Sequence, residues 1–191
     1  MSGQSWWKKI VNRYFINGLN GMAQGLFCTL IIGLIMKQVG GFMDNSLGTL
    51  LIQLGTLAST CTGVAIGVGV ANSLGTPKLV IYASGVTGFI GANASNLVNG
   101  KLITETGAIL VTGAGDPLGA FIAALVGIEL GRFVSGKTKV DIIVTPFVTI
   151  LAGGIAGVLF GPPLSSAMAW LGHAIEVATV LQPFIMGIIK G

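Results

Sequence analysis

Apolar residues form long runs that only a few charged positions interrupt. The first charge-free run covers residues 14–36, enough for a helix to cross a hydrocarbon core of about 30 Å. The later apolar runs predict five more spans, at about 47–70, 79–100, 107–130, 142–160 and 164–189. A turn at "ANSLGTP" follows the second span, and "GPP" at 161–163 separates the last two. The pattern predicts an all-α integral membrane protein with about six transmembrane helices.

The third run is less regular than its neighbours. Its second half, "GANASNLVNG", carries Asn93, Asn96 and Asn99. Polar residues at this density are also compatible with a re-entrant segment instead of a full crossing.

The fourth run is interrupted near its middle by Asp116 and Pro117, in "GAGDPLGAF". An aspartate followed by proline is typical of a helix N-cap and the first helical residue. Gly113, Gly115 and Gly119 allow the chain to unwind there. We therefore predict one broken helix, with half-helices at 107–113 and 117–130.

An ionised carboxylate near the bilayer centre costs about 2.5–3.5 kcal/mol on insertion scales, so Asp116 needs a compensating role. The start of a half-helix offers free N–H groups and a positive dipole end, and transporters bind solutes at such breaks. We predict a substrate site at Gly115, Asp116 and Pro117. The alternative, that Asp116 only caps its own helix, stays open.

Charge is scarce, at 8% of residues against 52% hydrophobic, and it is unevenly placed. With the N-terminus in the cytoplasm and six alternating spans, only Lys37 and Lys101 fall outside. The other eight basic residues fall inside: Lys8, Lys9, Arg13, Lys78, Arg132, Lys137, Lys139 and Lys190. This positive-inside bias supports the orientation and a full crossing by 79–100. No dense basic face exists, which argues against nucleic acid as a partner.

The N-terminal stretch "SWWKKIVNRYF" has an amphipathic pattern. Its apolar positions share one face at helical spacing, while its basic residues occupy the other. We predict an interfacial amphipathic helix within residues 1–13, followed by a membrane domain over 14–191.

Small residues recur at a four-residue period, as in Gly153, Gly157 and Gly161. Gly63 with Gly67, and Gly127 with Gly131, repeat this spacing, which lets neighbouring helices approach closely. Cys28 and Cys61 lie inside apolar runs, and we predict that both are small buried residues. Their spacing fits no metal site, and no motif calls for a cofactor.

Two further polar groups are candidates for solute contact. In "KLITETG", Thr104 and Glu105 stand at the predicted outer boundary, and a loop folded inward would bring Glu105 towards Asn93 and Asn96. His173 and Glu176 are three residues apart in the sixth span and share a helix face. A plain boundary loop and a simple polar pair near the interface remain the alternatives.

Several segments together resemble membrane proteins of the phosphotransferase-system EIIC-like family, of the perfringolysin-regulator type. They are "RYFINGLNGMAQGLFCTLIIGLI", "GAGDPLGAFIAALVGIELGRFVSGKTKVDIIVTPFVTI" and "GPPLSSAMAWLG…LQPFIMGII", and "VSGKTKVDIIVTP" is the most specific piece. The resemblance implies a multi-pass protein of the bacterial cytoplasmic membrane, nominally a sugar permease component of the phosphoenolpyruvate-dependent system.

The resemblance also sets expectations for partners. Members of the family are longer, so we expect these residues to match the N-terminal half, completed by a C-terminal half or a second copy. "LITE" resembles the Gly-Ile-Thr-Glu loop of glucose-type EIIC permeases, with Leu102 in place of the glycine, which assigns Glu105 to sugar contact. In those permeases a histidine of the sugar site precedes the loop, whereas in this sequence His173 follows it. The phosphoryl donor would be a separate soluble subunit.

Three functions remain open on the sequence. The first is a transporter for a small hydroxylated solute, a sugar or polyol, bound near Asp116. The second is a membrane-embedded regulator or sensor without transport, and the third is an oligomeric channel lined by the glycine-rich faces.

Overall fold

The computed structural model describes residues 6–111 and 113–190. These residues form nine α-helices, two π-helical segments and one isolated antiparallel bridge, between Ile103 and Ile109. The elements are α1 (Trp6–Val11), π1 (Asn12–Gly18), α2 (Leu19–Leu26), π2 (Phe27–Ile31), α3 (Ile32–Gly41), α4 (Ser46–Thr60), α5 (Thr62–Ser73), α6 (Lys78–Ala92), α7 (Ala94–Val98), α8 (Pro117–Val134) and α9 (Asp141–Lys190). The predicted all-α class is thereby confirmed.

Three helices are long and apolar enough to cross a membrane: Lys8–Gly41, Pro117–Val134 and Asp141–His173. Helices α4 and α5, bent by 49° at Cys61, meet the same criterion as a pair. The described residues thus hold three or four candidate spans. Six spans and a cytoplasmic N-terminus remain predictions. Helix α6 alone extends for about 22 Å, less than the hydrocarbon core of about 30 Å, so a full crossing by 79–100 also stays a prediction.

The N-terminal segment is continuous with the first candidate span. Helical geometry runs from Trp6 to Gly41 through both π segments, without a break near residue 13. A π segment adds a residue to one turn and rotates the following helix. The two π segments flank α2 and orient Gly21 and Gly25 towards α5.

Glycines at the predicted spacing do bring helices into close contact. A Cβ added at Gly153 would stand 2.5 Å from the Thr87 Cγ2, and one at Gly63 2.7 Å from the Ala92 Cβ. At Gly127 it would lie 2.7 Å from the Thr149 carbonyl oxygen. Backbone-to-backbone packing of this kind replaces the hydrophobic driving force that helices lack in lipid. The predicted role of these glycines in packing is confirmed.

The core lies between α5, α6 and α8. Small and β-branched side chains fill it, with Ile66, Val80 and Ile128 all at 0% exposure. Buried hydroxyls are satisfied by backbone carbonyls, as where Ser84 Oγ donates to the Gly67 carbonyl at 3.1 Å. The large apolar side chains point outward instead, as Phe147 does at 64% exposure. This distribution is typical of a protein whose surroundings are lipid.

The predicted break at 161–163 is wrong. Helix α9 continues through Gly161, Pro162 and Pro163 to Lys190. Each proline removes one backbone donor, but helices in membranes tolerate this where neighbouring groups take up the freed carbonyls. The carbonyls that lose their donors are those of Val158 and Leu159, four residues before the two prolines. Gly161 packs closely on Ala94 of α7, which holds this stretch of α9 against its neighbour.

The predicted half-helix at 107–113 is also wrong. Gly107, Gly113 and Gly115 have φ of +79°, +76° and +72°, which a right-handed helix excludes. The segment before α8 instead turns back on itself: Leu110 N donates to the Leu102 carbonyl at 2.8 Å. Hydrogen bonds across this turn satisfy the backbone locally.

Burial of the two cysteines is a third correction. Cys28, in π2, and Cys61, at the bend between α4 and α5, are both exposed. The contact between these segments is made by the next residues, with Thr29 Oγ1 donating to Thr62 Oγ1 at 3.3 Å. Helix rotation therefore turns the thiols outward.

An ion pair joins π1, in the first candidate span, to α8. Arg13 Nη2 lies 3.2 Å from Glu129 Oε1, and the side chains are 29% and 36% exposed.

We expect Glu129→Gln to lower the free energy of unfolding by about 2 kcal/mol, between the cost of breaking an exposed pair and that of breaking a buried one. Denaturation by SDS, followed by circular dichroism, measures this. Glu176→Gln is the matched control, because Glu176 and its partner His173 are about 75% exposed. An equal effect of both changes would contradict the prediction.

Candidate functional site

Asp116 begins α8, as the sequence predicts. Its backbone is extended, and its Oδ1 accepts a hydrogen bond from Leu118 N at 3.0 Å. Pro117 occupies the first helical position, where the missing N–H costs nothing. Asp116 N donates to the Ala92 carbonyl at 2.8 Å, which ties the start of α8 to the end of α6.

Two glycines allow this close approach. Gly115 has a left-handed φ of +72°, and an added Cβ would lie 2.5 Å from the Ala92 carbonyl oxygen. One turn into α8, a Cβ at Gly119 would meet the Gly91 carbonyl oxygen at 2.5 Å. The backbones of α6 and α8 therefore touch beside the carboxylate, and Asp116 is held at a fixed position between them.

A chain of hydroxyls connects Asp116 to α7 and α9. Ser165 Oγ donates to Asp116 Oδ2 at 3.1 Å, and Ser95 Oγ donates to Ser165 Oγ at 2.9 Å. Three elements distant in sequence are thus linked by two side-chain hydrogen bonds. A carboxylate has about four acceptor sites, and Leu118 N and Ser165 occupy two of them. Asp116 retains capacity to accept further donors.

A groove of about 670 Å³ opens directly on this carboxylate. Its walls are mainly apolar, and the polar groups are Asp116 and Ser165. The lining residues are Met22, Leu26, Gly115, Asp116, Pro117, Leu118, Ser165 and Met168. A concave, mostly apolar space with a few convergent polar groups is the usual form of a small-molecule site.

Thr104 and Glu105, the predicted solute contacts in the loop, are not among the residues that line this groove. Glu105 is exposed at the tip of the turn between Ile103 and Ile109. Thr104 Oγ1 is 2.9 Å from Thr106 Oγ1 and accepts from Ala108 N, so it closes that turn.

Asn93 lies at the junction of α6 and α7, and Asn96 lies within α7. Asn93 is 2% exposed, and its Nδ2 donates to the Phe89 carbonyl at 3.0 Å. Its Oδ1 is buried without a hydrogen-bond partner among the described residues. The Asn96 carbonyl accepts from Lys101 N at 2.8 Å and fixes the start of the following loop.

The histidine pair forms as predicted but stands outside the groove. His173 Nδ1 lies 3.9 Å from Glu176 Oε2, and both side chains are about three-quarters exposed. His173 is eight residues beyond Ser165, which is about 12 Å along the helix. The described residues contain no group of three or more His, Cys, Asp or Glu placed to hold a metal ion.

Sequence reasoning missed Ser95 and Ser165. Ser165 is separated from "GPP" by Leu164, in a segment predicted to start a new helix. Because α9 continues, its register places Ser165 opposite Asp116. The adjacent hydroxyls of Ser165 and Ser166 within an apolar run were the available signal.

Removing the Ser165 hydroxyl tests this network. Hydrogen bonds to charged groups contribute about 1.5–3 kcal/mol, so we expect Ser165→Ala to lower the unfolding free energy by about 1–2 kcal/mol. Ser166→Ala is the control, because that hydroxyl is exposed and bonds only its own helix; we expect a change within about 0.5 kcal/mol. Equal melting temperatures for the two variants in detergent would contradict a linking role for Ser165.

Comparison with models of protein families gives a match over most of the chain. The family model described as "Phosphotransferase system, EIIC" matches residues 16–191. No curated protein matches the chain, and no solved structure does.

Proposed function

We propose that this chain, which belongs to the phosphotransferase-system EIIC family, is a translocating membrane component that binds a sugar or polyol in the groove at Asp116. The family and the apolar helices make it a membrane protein of that system. The proposal adds the bacterial cytoplasmic membrane, a multi-pass topology and a soluble subunit that donates the phosphoryl group.

One observation carries the proposed site: a fixed carboxylate with free acceptor capacity faces a groove of about 670 Å³. Sugars and polyols present hydroxyl donors and apolar C–H faces together. The donors would pair with Asp116, while Met22, Leu26 and Met168 would contact the C–H faces. The single carboxylate would repel an anionic solute, whereas the hydroxyl donors of a neutral sugar or polyol can bond to it.

The surrounding contacts suggest how binding is coupled to movement. Asp116 is bonded to α6 through Ala92 and to α9 through Ser165. A solute hydroxyl that competes for Oδ2 would weaken the link to α9 while the link to α6 remains. Movement of α9 relative to α6 and α8 is then the step that we assign to alternating access, as one bundle moves against another.

The proposal is tested with Asp116→Asn in proteoliposomes, with glucose, mannose, mannitol and galactitol offered in turn as radiolabelled probes. Asparagine still caps a helix, so the fold is kept while the negative acceptor is lost. We expect binding of the accepted probe to fall at least tenfold, about 1.4 kcal/mol. Asp44→Asn, at an exposed carboxylate outside the groove, is the control.

Two outcomes would overturn the proposal. Unchanged binding by Asp116→Asn would leave the residue as a helix cap alone. A wild-type protein that binds none of the probes would favour the second hypothesis, a membrane regulator without transport. Glu105 and His173 lie outside the groove, so we expect Glu105→Gln and His173→Gln to retain probe binding in this chain.

A further inference from the structure

One end of the molecule carries most of its positive charge. The first candidate span, Lys8–Gly41, runs antiparallel to α8: Gly18 packs on the Phe121 ring, and Arg13, earlier in the span, pairs with Glu129, later in α8. Lys9 lies about 6 Å beyond Arg13, and Arg132 about 4.5 Å beyond Glu129, so they stand at a similar level. Lys78 stands at this end too, because it begins α6, which runs antiparallel to α8 with Gly91 packed against Gly119. In the part of the chain that the structure describes, this end holds seven of the chain's ten basic residues: Lys8, Lys9, Arg13, Lys78, Arg132, Lys137 and Lys139.

Two of these cations line a small polar pocket. Glu129, Arg132, Phe133 and Lys137 enclose about 330 Å³ at the C-terminal end of α8. Lys137 Nζ lies 3.7 Å from the centroid of the Phe133 ring, which holds the ammonium over the pocket. No carboxylate among the described residues is within ion-pair distance of Arg132 or Lys137. Glu129 is already neutralised by Arg13.

An apolar groove adjoins this pocket along the same face of α8. It has a volume of about 420 Å³ and lies between α8 and α9. Val126 and Leu130 form its α8 wall, and Phe133 follows at the next helical repeat. Val148, Leu151 and Ile155 form part of its α9 wall. The stripe of Val126, Leu130 and Phe133 therefore leads from the apolar groove to the pocket that Phe133 lines together with two unpaired cations, and Arg132 stands on the next face of α8.

We propose that this composite site binds an anionic phospholipid. Arg132 and Lys137 would hold the headgroup phosphate, and the groove would take an acyl chain. The cations lie at the end of the helix and the apolar surface lies towards the middle of the span, which matches the headgroup and the acyl chain of a phospholipid. A soluble phosphate would use the pocket but leave the groove empty, whereas a zwitterionic lipid would place its own cation against Arg132 and Lys137.

The test is native mass spectrometry of the detergent-solubilised protein with dioleoyl phosphatidylglycerol and dioleoyl phosphatidylcholine. We expect wild type to bind phosphatidylglycerol in preference, and Arg132→Gln with Lys137→Gln to weaken that binding roughly tenfold or more, since each cation near a lipid headgroup contributes. Lys78→Gln with Lys101→Gln is the matched control, because both lysines are exposed and neither lines the pocket or the groove. The charge-preserving pair Arg132→Lys and Lys137→Arg should keep the preference.

Competition distinguishes the two sources of phosphate. We expect glycerol 3-phosphate and inorganic phosphate not to displace phosphatidylglycerol, because neither fills the groove. Displacement by either would assign the pocket to a soluble anion and overturn the proposal. Equal loss of binding in the Lys78/Lys101 control would also overturn it, because it would show attraction to net charge alone. Leu130→Asn should weaken lipid binding without altering the melting temperature of the lipid-free protein.

Discussion

Replacing Gly91 by alanine is expected to lower the free energy of unfolding by about 2 kcal/mol and to separate three helices. The added Cβ would collide with the Gly119 carbonyl oxygen of α8 and would lie 2.5 Å from the Ala123 Cβ. Gly157 of α9 also packs on the Gly91 Cα. Overpacking destabilises a protein by about 1–3 kcal/mol or more, whereas the better helix propensity of alanine stabilises the helix by at most about 1 kcal/mol. Backbone atoms cannot rotate away, so whole helices must move.

The control for this change is Gly154→Ala. Gly154 is also inside a helix, but its added Cβ would meet only Ile90 carbons, at 3.7 Å or beyond. That is ordinary van der Waals contact, so the change in stability depends on helix propensity, which favours alanine. We therefore expect the free energy of unfolding to stay the same or to rise slightly. SDS titration followed by circular dichroism compares the two variants. A Gly91→Ala protein as stable as Gly154→Ala would contradict the close packing of α6, α8 and α9.

The second large effect is expected at the start of α8. Gly115→Ala carries two costs: a left-handed backbone for a residue with a Cβ, about 1–2 kcal/mol, and a collision with the Ala92 carbonyl, about 1–3 kcal/mol. Because Asp116 N bonds that same carbonyl, the carboxylate must shift. We therefore expect Gly115→Ala to lose both stability and solute binding.

Gly113→Ala separates these two costs. Gly113 has a similar φ of +76°, but nothing lies within 4 Å of its added Cβ. We expect it to show the backbone cost alone and to keep solute binding. Melting temperature and probe binding, measured on both variants, give the comparison. Loss of binding in Gly113→Ala equal to that in Gly115→Ala would show that loop conformation, and not the contact with Ala92, positions Asp116.

The start of α8 was predictable because its signal is local. An aspartate followed by proline satisfies the first turn of a helix whatever the rest of the chain does, and the structure places both residues accordingly. The glycines before it carried a local signal too, since positive φ values favour glycine. The prediction used Gly113 and Gly115 to unwind the chain within a broken helix, whereas both have left-handed φ in the non-helical segment before α8.

The partners of Asp116 were not predictable from local patterns. Ser165 reaches the carboxylate only because α9 continues through two prolines, and a break there would have changed the register of every later residue. The exposure of Cys28 and Cys61 likewise depends on contacts between segments that are distant in sequence, such as that between Thr29 and Thr62. An apolar run predicts a helix in lipid, but which face meets protein depends on the glycine contacts of its neighbours.

The most direct measurement asks whether a solute occupies the groove at Asp116. Met168 lines the groove on α9 and is 42% exposed, so a cysteine there can be alkylated; the native Cys28 and Cys61, both exposed, are first replaced by serine. Ala169→Cys, one residue on and also exposed, faces a different side of the helix and is the control. We predict that the accepted sugar or polyol slows maleimide labelling at position 168 and leaves labelling at 169 unchanged. Equal labelling rates at 168 with and without that solute would contradict a binding site in this groove.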